Sequence, residues 1–550
     1  MPLRNSPLNF LTYLCNMLGN QVASDLDLVN YRIPSLLPWG QNIFKKRLFE
    51  TTDDVKKLKN IQLPLAALQK HSEITTDIKK SLEKITTAVS DVETCIGTVE
   101  PLAEESIKQI FFGKDTQARF LNSNNIYLNL VYYWKSLVLP GFSILAPLLG
   151  ILVPFFLLKL VGRGMTVPDY MIHLRGSILK QISIPTFLKA RHAEDRLGGF
   201  FEMLFIGFAI VMFISGIWNQ VSAACHLRSI WNNLVNRGSS VSMLLKGAEN
   251  IIHILKNSPF YAQKAFKTLI ADGNTAINAC SGLLEGSPIV CAGLLWNNPS
   301  SIFALRDWLG LIDAYTTLAT MPICIVKYSK DINIDIKGLK HPYLESCIPN
   351  NYVSRGHSIL TGPNRGGKST FCKALGLALV TAQSWGFAAA DSMTMCPFGA
   401  IHTALEPAGK LGYASTFEAE IVFAKSVLER DERPLFVMMY EIFHSTNAVD
   451  GIRASGVFMT ALYNKQNVMS FISTHYRELA TQFNDQCTAY KMVANDGPTG
   501  LIYSYKIEDG VSDKSSVDEL LRLHGLLKPG SYEEHKRGCT EQKNEASESE

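Results

Sequence analysis

The residues best suited to chemistry form one run, Gly362-Pro363-Asn364-Arg365-Gly366-Gly367-Lys368-Ser369-Thr370. It fits G-x-x-x-x-G-K-[ST], a loop whose backbone N–H groups surround the phosphates of a nucleotide. Gly366 and Gly367 lack the Cβ that would keep the chain away from a phosphate. Lys368 is placed to reach the β- and γ-phosphates, and the Ser369 hydroxyl to hold Mg²⁺. His357–Leu360 before the loop reads as a short buried strand, and the residues from Phe371 onward as a helix whose N-terminus faces the anion. A chance glycine turn would not need that context. The pattern predicts ATP or GTP binding.

Two further residues sit where such a site needs them. Pro434–Met439 is an apolar run with the length of a buried parallel strand. It delivers Tyr440-Glu441 to its C-terminal end, where open α/β sheets hold ligands. Glu441 is the candidate general base for an attacking water and a candidate for the metal shell. A second apolar strand, Val468–Ile472, ends just before His475. Taken alone, such a histidine reads as a satisfied core residue.

The surroundings of the loop resemble the MutS family of mismatch-repair ATPases. Gly-Pro-Asn-x-Gly-Gly-Lys-Ser-Thr is similar to that family's loop, with Arg365 where Met is usual. Lys340-His341-Pro342-Tyr343-Leu344-Glu345 resembles the strand entering its ATPase domain, and Ala382-Gln383 its A-Q pair. Gly412-Tyr413-Ala414-Ser415-Thr416-Phe417-Glu418-Ala419-Glu420 is similar to its G-x-x-S-T-F-x-x-E segment, and Ser473–Leu479 to A-T-H-Y-x-E-L. Tyr505–Ile507 and Gly510–Ser516 resemble its last strand and turn. The matches run in the family's order between Lys340 and Ser516. The resemblance implies an α/β P-loop NTPase of the ABC type, closed between two subunits as a homodimer or MutS-like heterodimer, with ATP and Mg²⁺. It implies nucleotide contacts from Gly362 to Thr370, with Ser415 reaching the partner's nucleotide. It also makes His475 a γ-phosphate sensor and Gln383 a member of the catalytic set.

Tyr440-Glu441-Ile442-Phe443-His444-Ser445-Thr446-Asn447 departs from the family's Asp-Glu-Ile-Gly-Arg-Gly-Thr-Ser. The E-I-F-H-S-T-N form resembles a divergent MutS-related branch found among bacteria and large DNA viruses. Tyr440 replaces the acidic residue of the metal shell, and a phenol titrating near ~10 carries no charge at neutral pH. The expectation is a nucleotide-gated clamp with slow hydrolysis and a degenerate metal-binding strand.

The elements that must position this site fill the rest of the 550 residues, enough for two or three domains. The reading is a helical region over 1–135, a hydrophobic helical hairpin over 136–220, a helical MutS-core-like region over 221–330, the ATPase domain over 331–528 and a disordered polar tail over 529–550. The fold expected before the ATPase is thus all-α, a lever and core region with one or two strongly hydrophobic helices. Ile74, Ile78, Leu82, Ile85, Val89, Val92, Ile96 and Val99 form one apolar seam at helical spacing, ended by Pro101.

Residues 136–158 contain no charge, enough for the ~20 residues that cross a bilayer. Tyr132, Tyr133, Trp134, Lys135, Lys159 and Arg163 flank them like interfacial anchors. Met203–Trp218 is a shorter second candidate. The competing reading is a hairpin buried in the lever region, and the seven Lys/Arg of 159–202 favour it, since a cytoplasmic ATPase would send them outward. The localisation expected is cytoplasmic-facing, with a membrane anchor over 137–218 on the first reading.

Net charge is +4, with no basic tract marking a nucleic-acid groove. Eleven cysteines without C-x-x-C pairing suit reduced thiols. The opening Met1-Pro2-Leu3-Arg4-Asn5 has no secretory pattern. No mismatch-reading wedge or nuclease motif is visible. Three functions follow: a DNA-binding clamp ATPase of the MutS kind, a membrane-anchored relative outside mismatch repair, and a non-catalytic ATP sensor. DNA and a membrane are both carried as candidate partners.

Overall fold

The computed structural model describes residues 20–96, 101–113, 115–162, 166–181, 195–284, 286–405, 416–430, 434–497, 500–517, 520, 521 and 524. Val99, Ser415 and the expected tail over 529–550 lie outside the described residues. The chain packs as two units. One gathers residues up to Glu83, Ile252–Asp272 and Arg306 onward; the other gathers Lys84–Ile251 and Gly273–Leu305.

The first unit is built on a six-stranded sheet. Its strands are β1 (His357–Thr361), β2 (Ala400–Ala404), β3 (Leu435–Tyr440), β4 (Val468–Ser473), β5 (Cys487–Gly497) and β6 (Gly500–Asp509), in the spatial order 6-5-1-4-3-2. All neighbours run parallel except the β5–β6 hairpin. Every residue of β4 and all but the last of β3 are buried, as expected where helices cover both faces. On one face Val437, Met439 and Ile472 pack against Phe458, Met459 and Leu462 of the helix Ala448–Tyr463. A four-stranded sheet of Lys327–Tyr328, Ser392–Met395, Ile334–Leu339 and Asn350–Ser354 belongs to the same unit.

Residues near the start of the described chain belong to this α/β unit, far from it in sequence. Buried Asp25 accepts from the Thr403 hydroxyl at 2.7 Å and from the Leu405 N–H at 3.0 Å, holding the end of β2. Trp385 stacks on Phe44 and lies under the Arg47 guanidinium at 4.8 Å. Asp313, in the helix Phe303–Thr320, accepts the Leu36 and Leu37 N–H groups at 3.1 and 2.8 Å, just ahead of the helix Pro38–Leu48. These are orphan donors of a helix N-terminus, satisfied from a distant helix rather than by a local cap.

Burial pushes the Asp313 carboxyl up to about 6, against the backbone bonds that favour its anion. Folding therefore takes up a proton between about pH 4, where an unfolded aspartate titrates, and pH 6. The penalty of ionising Asp313 is absent below that window and grows as pH rises through it. Asp313→Asn should flatten this loss, worth ~2–3 kcal/mol at most, in urea melts between pH 4 and 7. An unchanged pH profile would remove Asp313 as its source.

The predicted seam falls in the helix Ser72–Ile96, whose buried Ile85, Val89 and Val92 belong to the second unit. It runs antiparallel to the helix Asp195–Lys256. Ile85 sits where a Cβ on Gly247 would come within 2.4 Å, and Asp91 accepts from the Ser240 hydroxyl at 2.7 Å. Pro101 opens the next helix, Pro101–Lys108, a position where its missing N–H costs nothing. Met203–Trp218 lies in the early part of the helix Asp195–Lys256, 62 residues and ~90 Å long.

Candidate nucleotide site

Strand register brings the predicted residues to one edge. Leu360 of β1 and Tyr440 of β3 both pair with Ser473 of β4, so the three strands end level. Gly362 leaves β1, Glu441 leaves β3 and Thr474-His475 leave β4 at that edge. The Thr474 N–H donates to the Leu360 carbonyl and the Glu441 N–H to that of Ser473, at 3.0 and 2.7 Å, locking the three exits together.

Pro363 to Gly367 turn between β1 and the helix Lys368–Ser384. Arg365 and Gly367 are left-handed, with φ of 66° and 98°, so the second position favours glycine. A Cβ on Gly366 would come within 3.0 Å of the Pro363 carbonyl oxygen. Both glycines thus keep the turn tight, as a phosphate cradle requires. Asn364 and Arg365 are exposed on the turn, while Thr370 lies in the first helical turn after it. Lys368 is buried, and its Nζ donates to the carbonyls of Gly362 and Pro363 at 3.0 and 3.3 Å. Burial lowers its pKa and the Glu441 charge opposes that shift. Thr361 fixes the start of the loop, donating to the Tyr490 carbonyl and accepting from the Ser512 N–H.

The Glu441 carboxylate accepts from His475 Nε2 at 2.7 Å. That bond, ahead of the opposing burial, holds its pKa below the usual carboxylate range, with Tyr440 and Lys368 adding to it. The Tyr440 hydroxyl interacts with both Glu441 and Ser369, and burial, then the Glu441 charge, drive its pKa well above the ordinary phenol value. The donor set for a divalent ion is therefore one hydroxyl and one carboxylate, with a neutral phenol beside them. A nucleotide fits the loop; a tightly held Mg²⁺ shell fits these residues less well.

Glu441 and Phe443 are both left-handed, at φ 54° and 52°. Phe443 occupies the place of a glycine in the resembling motif, a conformation that costs a bulky residue ~1–3 kcal/mol. Its ring is buried against Phe417 and Phe458, which holds it there.

Not every predicted residue joins this cluster. Gln383 lies near the far end of the loop helix, ~22 Å along it from Lys368. Its amide is buried and bonded to Phe398 N–H and carbonyl at 2.9 and 2.7 Å and to the Thr52 carbonyl at 3.3 Å. It ties elements of the α/β unit together and contacts none of the residues at the edge. Ser415 lies outside the described residues. Conversely, Glu420 and His444, given no role from sequence, pair at 3.2 Å next to Glu441, whose backbone carbonyl accepts from His444 Nδ1 at 2.7 Å. With Tyr440, Phe443 and Gln21 they line a cavity of about 40 Å³. The signal available was the final glutamate of the G-x-x-S-T-F-x-x-E segment.

Residues 358–527 match the family model described as MutS domain V. Among curated proteins, "DNA mismatch repair protein MutS" of Lactobacillus delbrueckii subsp. bulgaricus is 31% identical over 216 residues, covering 37% of this chain and 25% of the relative. The protein of the same name from Petrotoga mobilis is 30% identical, covering 36% and 26%. That of Haloquadratum walsbyi is 24% identical, covering 42% and 26%. The chain spans about a quarter of the length of these relatives.

Proposed function

We propose that this chain, whose residues 358–527 match MutS domain V, is a MutS-related ATP-binding clamp of P-loop, ABC-type construction that hydrolyses ATP slowly. The observation that carries the reading is the meeting, at one sheet edge, of the glycine turn with buried Lys368, the Glu441–His475 pair and Tyr440 over Ser369. Lys368 would exchange its loop carbonyls for phosphate oxygens, a charge-assisted contact worth more than the neutral bonds it leaves. Ser369 and Glu441 would hold Mg²⁺, which supplies charge neutralisation between the β- and γ-phosphates. Glu441, ionised at neutral pH, would orient the attacking water once His475 turns to the γ-phosphate.

Dimerisation through the nucleotide belongs to the same reading. Exposed Ile421, Val422, Val449 and Val457 lie on two mutually packed helices, Thr416–Leu428 and Ala448–Tyr463, beside the site. The relatives' name supplies DNA as the client, a binding expected to weaken steeply with salt.

The experiment is calorimetric titration of the full chain with ATP, followed by light scattering with and without the nucleotide. Wild type should bind and gain mass. Lys368→Ala should lose affinity at least ~10-fold, since one charge-assisted contact is worth ~1.5–3 kcal/mol. Absence of ATP binding by the wild-type chain would end this reading.

A further inference from the structure

The second unit contains two helical stretches with large apolar side chains exposed on every side of the helix. In the helix Leu139–Leu160, Phe142 and Ile144 are both exposed, although two positions apart puts them on nearly opposite sides. In the helix Asp195–Lys256, the consecutive Val211, Met212, Phe213 and Ile214 are all exposed, and four successive residues point to every side of a helix. A single protein partner covers one stripe of a helix; covering all of it takes a membrane or several partners at once. The buried-hairpin alternative needs these side chains inside, and they are outside.

Register identifies the medium. Tyr132 stacks on Trp231 at 4.4 Å, fixing the level at which the two helical segments meet. From that contact the first runs forward, helical through Tyr133, Trp134–Val138 and Leu139–Leu160, and the second runs backward. Counting residue for residue, Lys135 comes level with Arg228, and Lys159 with Leu204, two residues from Glu202. Between those levels neither arm has an Asp, Glu, Lys or Arg: 136–158 in one, 203–227 in the other, with His226 at the aromatic end of the second. Two sequences far apart in the chain thus begin and end their uncharged windows together. Each window is ~35 Å long as a helix, against a hydrocarbon core of ~30 Å. Tyr132, Tyr133, Trp134 and Trp231 gather at one end, where aromatic belts lie. Pro140, Pro147 and Pro154 recur every seventh position of the first arm, a load that helices in lipid tolerate.

We propose that residues 136–158 and 203–227 form an antiparallel hairpin embedded in a lipid bilayer. Leu149 and Ile214 lie level with each other near its middle, exposed and remote in sequence from every nucleotide-site residue.

The test is flotation of the full-length protein with phosphatidylcholine vesicles, with a carbonate wash of the floated fraction. Wild type should float with these uncharged vesicles and stay through the wash. The double variant Leu149→Arg, Ile214→Arg should float at least ~10-fold less while binding ATP and keeping helical circular dichroism as wild type does, which shows that both units fold. Three results would overturn the proposal. The wild-type chain could remain unfloated. It could float only with anionic vesicles and be released by salt, which would place the attraction in the basic segment 159–202. Or it could stay soluble as an oligomer that the arginines dissociate, which would make the covering surface a second copy of the chain.

Discussion

Substituting Tyr440 with Asp is expected to raise Mg²⁺-dependent ATP turnover by ~10–100-fold, the usual weight of a polar partner to a metal's ligands. The phenol is neutral: burial and the neighbouring Glu441 charge both hold its proton on. Its hydroxyl engages Ser369 and Glu441, the two groups available to the metal. An aspartate there adds a negative charge facing the Ser369 hydroxyl and frees Glu441 from the phenol. The half-saturating Mg²⁺ concentration should fall along with the rise in phosphate release. Tyr440→Phe separates charge from space, because it removes the hydroxyl and keeps the ring. It should give no gain. If Asp and Phe behave alike, the hydroxyl merely blocked the site. If neither changes turnover, Tyr440 is not what limits hydrolysis.

The parts of this site that are legible in the sequence are those fixed by local chemistry at strand ends. The glycine turn, Glu441 and His475 each follow a short apolar run, and parallel strands present their C-terminal ends together. Their mutual distances needed only the level register of β1, β3 and β4. Gln383 shows the limit of a motif match. The Ala382-Gln383 pair fixes a place in the chain, but four helical turns and more carry it away from Lys368. The packing of Asp25 on Thr403 spans 378 residues and left no local trace, because a buried aspartate and an exposed one look alike in sequence. Phe443 at a left-handed position was equally hidden, since its cost is repaid by aromatic neighbours from two other helices. The apolar windows were visible as composition. The proposal that they are level in space starts from one aromatic contact, Tyr132 on Trp231.

Replacing Glu441 with Gln is expected to reduce turnover by ~10²–10⁴-fold, the range spanned by a positioned general base, while ATP affinity is retained. The carboxylate is the acidic side chain that the described residues bring to the level exits of β1, β3 and β4, and its pKa is held low by His475, so it is ionised at neutral pH. The 2.7 Å bond to Nε2 takes one acceptor site of Oε1 and leaves others for a water. On the proposed reading, His475 leaves Glu441 for the γ-phosphate when ATP binds. That makes His475→Ala informative beside Glu441→Gln. If His475 turns to the γ-phosphate, its loss weakens ATP binding and spares ADP, since only ATP offers that contact. If it serves only to hold Glu441, the affinities for both nucleotides stay the same and turnover alone changes. Single-turnover phosphate release, with nucleotide content measured on the same samples, separates binding from chemistry for both variants. Glu441→Gln protein that releases phosphate at the wild-type rate would move the base elsewhere. Protein that fills with ATP and keeps it would fix Glu441 as the group that aligns the water, and would trap the ATP-bound clamp.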